Sequence, residues 1–297
     1  LLYFLLIFLG IVILILLFTD WEEVSYKDAV KANKAHLYRR YLRDYPKGKY
    51  VQKAKDGLKE VYKEAFKKYS RLAAKGKTPA QKGLLALLQY FVDHPFIELP
   101  KVTVYFYPAK NLDEGNIRSL LEKETGSKKI ASLAPFFTSQ KNKKREEQII
   151  ETMQYAFWNI FKDKLFELVP GTLANKGPRI LILYNVLLSR NYFTLRSQKN
   201  LPLSQRDIFP GVAFQFFLSI QVPGSKFPPS KDPKKGYLTY FFIPAPKNFK
   251  VRRDAGNLAK QVYGSMVKGA FQKFEEELVK AFGAPKKSTK SKEKSKK

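Results

Sequence analysis

His36 and His94 are the only imidazoles in this chain of 297 residues, and it contains no cysteine. Those two counts remove much of reaction chemistry at once. There can be no disulfide, thiolate nucleophile, Cys-ligated zinc, iron–sulfur cluster or lipid-modified cysteine, and no three-His metal site. His36 stands beside Leu37 in a helical pattern, where a packing or surface role accounts for it. His94, in Asp93-His94-Pro95, closes a helix and is placed to interact with free carbonyls. No G-x-S-x-G elbow or Asp/Asn-rich calcium loop occurs. Ser189-Arg190-Asn191 and Ser204-Gln205-Arg206-Asp207 are polar loop clusters without a nearby histidine. The acidic pairs Glu146/Glu147 and Asp163/Glu167, and the run Glu275–Glu277, fall at helical spacing among lysines, as solvated ion pairs do. Gly76-Lys77-Thr78 fails as a phosphate loop because position 71 is Arg and a helix, not a strand, precedes it. The reading is therefore a non-enzymatic protein, with no catalytic, cofactor or metal residues assigned.

Charge is the other chemical feature. Lys and Arg number 55 against 26 Asp and Glu, a formal net charge of +29. The Lys-rich terminus 286–297 has no apolar side chain to bury and reads as a disordered tail. Most of the excess is spread over the rest of the chain. The densest basic candidates for contact with an anion are Lys128, Lys129, Lys141, Lys143, Lys144 and Arg145. An anionic lipid surface is the favoured anion and nucleic acid the weaker one, because the interleaved aromatics sit at core spacing.

Four regions must position these groups: 1–18, 19–95, 96–285 and 286–297. The first, LLYFLLIFLGIVILILLF, is uncharged and would form about 27 Å of helix, enough to cross a bilayer core. Trp21 and Tyr26 would then occupy the membrane interface, so the expectation is a single-pass protein of the cell membrane, partnered with lipid through 1–18. Its orientation is open.

Over 19–95 the apolar residues recur at three and four. Two helices joined at Asp44-Tyr45-Pro46-Lys47-Gly48 form a hairpin, and a third follows over 79–93. The run AHLYRRYLRDYPKGKYVQKAKDGL at 35–58, with Tyr38, Tyr41 and Leu42 before Tyr45-Pro46 and then Ala54 and Leu58, resembles one tetratricopeptide-like repeat of bacterial cell-envelope proteins. That resemblance covers about 26–75. It implies a helical stalk or a protein-binding surface, with Tyr38, Tyr41 and Tyr45 as contacts and another envelope protein as partner.

After Pro95 the texture changes. KVTVYFY at 101–107 alternates like a strand, helices are expected at 113–124, 144–168 and 254–282, and apolar strands at 179–188, 211–222 and 236–243. The fold class is thus α+β, an antiparallel sheet of about four strands packed by two long helices. The resulting functional expectation is a membrane-anchored interaction or scaffold module, the alternatives being an anion binder and an enzyme without a recognisable motif.

Overall fold

A computed structural model describes residues 19–73, 78–109, 114–126, 128, 130–132, 140–171, 177–189, 211–223, 236–244 and 255–283. Their helices are α1 (Trp21–Ala32), α2 (Ala35–Asp44), α3 (Val51–Ala73), α4 (Pro79–Asp93), α5 (Glu114–Thr125), α6 (Gln140–Phe161) and α7 (Ala255–Ala281). The strands are β1 (Lys101–Pro108), β2 (Ile130–Ser132), β3 (Glu167–Pro170), β4 (Arg179–Ser189), β5 (Gly211–Gln221) and β6 (Tyr237–Pro244). The chain divides into a helical unit, 19–68 with 88–100 and 163–166, and a sheet unit built from 69–87, 101–162 and the residues after 166.

The α+β class holds, but the membrane-spanning element expected with it is corrected. Among the described residues no helix is long and apolar enough to cross a membrane. The longer helices carry too much charge: α3 has ten charged side chains in 23 residues. The apolar run 1–18 and the tail 286–297 lie outside the described residues. The single-pass localisation and the interface roles of Trp21 and Tyr26 lose their support with it. Trp21 instead opens α1 on a half-exposed side chain, and Tyr26 stacks on Tyr50 at 4.4 Å with an interplanar angle of 6°.

In the helical unit α1 is separate from α2, a break the periodicity did not reveal. Asp20 caps α1 by accepting the Glu23 N–H at 3.0 Å. Asn33 ends it in the left-handed region at φ 47°, a conformation Asn tolerates through its short polar side chain. Helix α2 then lies so close to α3 that a Cβ on Gly57 would come 2.5 Å from the Tyr38 ring. Glycine here is a requirement of close approach.

The sheet is mixed, not antiparallel, and has six strands among the described residues. Its order is β3-β1-β4-β5-β6, with β2 paired to β4 beyond the end of β1. β1 runs parallel to both β3 and β4, while β4, β5 and β6 form the expected antiparallel meander. Parallel neighbours need long crossovers, and the stretch from β1 to β3, through α5, β2 and α6, supplies one. β3 was hidden because Leu165 and Leu168 prolong the helical spacing of α6. Lys162, at φ 57°, stops that helix and redirects the chain.

Both sheet faces are covered, which explains why β4 and β5 are apolar without alternation. On one face Phe274 of α7 meets Phe214 at 5.1 Å and Phe216 at 4.7 Å. On the other, Ile117 and Leu121 of α5 pack on Leu187 and Ala213. The end of α7 is held by side chains from earlier in the unit: Tyr69 donates to Phe282 O at 2.8 Å and Thr78 to Ala281 O at 2.9 Å. Carbonyls that a helix end leaves without a partner are satisfied in this way.

Candidate functional site

The densest polar constellation is in the helical unit. Arg39 of α2 is buried and donates to Leu165 O at 3.1 Å, to Lys164 O at 3.4 Å and to the Tyr62 hydroxyl. Tyr62 in turn donates to Leu165 O at 2.7 Å. Burial pushes the Tyr62 hydroxyl pKa up and the Arg39 guanidinium pKa down from their ordinary values. Asp163, also buried, accepts the Ala35 N–H at 2.7 Å and the Lys164 N–H at 2.8 Å. Lys34 precedes α2 without a side-chain cap, so a carboxylate from far along the chain takes the capping role.

His36 Nδ1 lies 3.4 Å from Asp163 Oδ1, with the side chain 56% exposed. A carboxylate behind an imidazole is how a general base is oriented. The rest of the constellation points elsewhere: Arg39, Tyr62 and Asp163 converge on backbone carbonyls and amides of α2 and 163–166. Their chemistry is that of a clamp holding a distant segment. Among the described residues no group of His, Asp or Glu could hold a metal ion.

The three tyrosines expected as protein contacts have separate fates. Tyr38 and Tyr41 are buried, whereas Tyr45 is partly exposed. Tyr41 donates to Glu22 Oε1 at 2.7 Å and accepts the Tyr50 N–H at 3.0 Å. Desolvation, reinforced by the Glu22 hydrogen bond, pushes its pKa up to about 12. Lys49 and Lys53 approach the Tyr50 ring at 5.0 and 5.9 Å, and Lys49 also pairs with Asp20 at 2.8 Å. That pairing is the main cause that lowers the Asp20 pKa and raises that of Lys49.

The expected anion contacts fall only partly within the described residues. Lys128 and Lys144 are exposed, Lys129 lies outside the described residues, and the side chains of Lys141 and Lys143 are likewise outside them. Arg145 is turned inward, its guanidinium 4.7 Å from the centre of the Phe271 ring. A cation over an aromatic face is a packing element.

An aromatic ridge at the end of α4 was missed. Tyr90 stacks on His94 at 4.5 Å, and Phe96 approaches both Tyr90 and Phe91 at 6.1 Å. Beneath it Phe91 is buried against Tyr62 and Phe166. Phe96 and Ile97 nevertheless remain 37% and 44% exposed, with exposed Asp93 and Glu98 beside them. His94 does act at the helix end, its Nδ1 3.1 Å from Tyr90 O. The available signal was an apolar pair, Phe96-Ile97, held between Pro95 and Pro100 outside any periodic element. No protein-family description matches the chain, and no curated protein matches it.

Proposed function

We propose that this chain is a non-enzymatic protein-interaction module whose helical unit presents Tyr90, His94, Phe96 and Ile97 to a protein partner. The observation that carries the reading is the exposure of Phe96 and Ile97 on a support that is itself buried, Phe91 against Tyr62 and Phe166. Ordered aromatic and aliphatic groups lose little entropy when covered, and such anchors supply most of the binding energy of protein interfaces. Asp93 and Glu98 give the ridge an acidic border within a strongly basic chain. The fitting partner offers an apolar groove bordered by Lys or Arg. The clamp of Arg39, Tyr62 and Asp163 supports the non-enzymatic part, since its polar atoms hold backbone.

The test is the double substitution Phe96→Ser with Ile97→Ser. Partner recovery by affinity capture should fall at least about tenfold, equivalent to about 1.4 kcal/mol. The melting temperature should be preserved, because both side chains are exposed. Undiminished recovery would overturn the proposal.

A further inference from the structure

A second surface, in the sheet unit, goes beyond that reading and stands on separate observations. The inward face of α6 carries the buried residues Ile149, Ile150, Met153, Ala156, Phe157 and Ile160. Its outward face, at helical spacing, carries Lys144, Glu147, Gln148, Glu151, Tyr155 and Trp158, all exposed. Tyr155 and Trp158 are 48% and 44% exposed on consecutive turns, where solvent-facing positions ordinarily carry polar groups. Lys162 is exposed just beyond the helix, its N–H bonded to Trp158 O at 2.7 Å.

We infer that this stripe is the contact through which two copies of the chain associate, with their α6 helices antiparallel about a two-fold axis. The spacing selects the occupant. The register that sets each Tyr155 opposite the second copy's Trp158 is centred between Ala156 and Phe157. The same centre sets each Glu151 opposite the second copy's Lys162. One register therefore makes two aromatic pairs at the middle and two opposite-charge pairs at the flanks, the self-complementarity that a two-fold contact demands. A stripe of this size is small for a permanent interface, so the dimer is reversible and concentration-dependent.

Sedimentation of the full chain across the micromolar range tests this with charge reversals. Glu151→Lys alone and Lys162→Glu alone should each raise the dimer dissociation constant about tenfold, and the double reversal should restore it. Trp158→Ala should weaken association at least as much as either. Three results would overturn the inference: a monomer at every concentration, association indifferent to all four variants, or a double reversal as weak as the singles. Partner recovery through Phe96 and Ile97 is read separately in the same variants. Failure of self-association with recovery intact removes only the dimer, and recovery undiminished by Phe96→Ser with Ile97→Ser removes only the interaction reading.

Discussion

In the helical unit Arg39 and Tyr62 both reach Leu165 O, and Asp163 takes the first amide of α2, so buried polar groups act as fasteners. The sheet unit does the reverse with Gln215. Its side chain is fully buried on β5, in register with Asn185 and Tyr240, and among the described residues neither its Oε1 nor its Nε2 has a hydrogen-bond partner. There the order comes from the backbone ladder and from Phe106, Phe214 and Phe216 gathered around Phe274, with Phe241 stacked on Phe214. The contrast follows from what each architecture leaves unsatisfied. A sheet pairs its own backbone, whereas the irregular segment 163–166 has carbonyls and amides that only side chains can meet.

Four experiments would break or sharpen that contrast. The largest effect is expected from Phe274→Ala, which empties the centre of the sheet unit's aromatic core and should cost about 4 kcal/mol in urea unfolding. Next, Arg39→Met keeps much of the apolar stem but removes the guanidinium donor from Lys164 O and leaves Leu165 O with the Tyr62 hydroxyl alone of its two side-chain donors. It should cost about 3 kcal/mol, and Arg39→Lys should recover only part because an ammonium lacks the guanidinium fork. Gln215→Met should act in the opposite direction, raising stability by about 1 kcal/mol, since it replaces an unpartnered carboxamide with an apolar side chain of similar size. If Gln215→Met were instead as damaging as Arg39→Met, the two units would not differ in the way described.

The smallest effect near neutrality concerns pH. The Tyr62 hydroxyl has its pKa raised in the folded chain above the ordinary value of 10.0, chiefly by burial. Its contribution is therefore complete below pH 10 and is lost as pH rises from there toward the folded value, because the unfolded chain ionises first. Thermal melting should be insensitive to this group at pH 7–9 and decline above pH 10. Tyr62→Phe should flatten that decline while lowering stability at neutral pH through the lost bond to Leu165 O.

Much of this fold was legible where one element dictates its own pattern. Helix α4 and strands β1, β4, β5 and β6 lie close to where apolar spacing places them. Pairings set by distant parts of the chain were not legible. Nothing local to Val102 or Val104 says that β1 inserts between β3 and β4, and β2 has only three residues. Asp163 read as one carboxylate on a helix face, yet Lys162 turns the chain and delivers it to α2. Among the site residues, the aromatic-x-x-aromatic spacing singled out Tyr38 and Tyr41 as protein contacts but carried no sign that both rings are enclosed. Phe96 and Ile97 escaped because contact surfaces, unlike cores, impose no period.

The account turns on whether the ridge at the end of α4 is the surface a partner touches. A photo-reactive amino acid placed at Ile97 and, as a control, at the exposed Lys67 of α3 addresses this in living cells. The account predicts a discrete cross-linked protein species from position 97 that is absent from position 67 and is suppressed by Phe96→Ser. Equal labelling from both positions, or none from position 97, would contradict it.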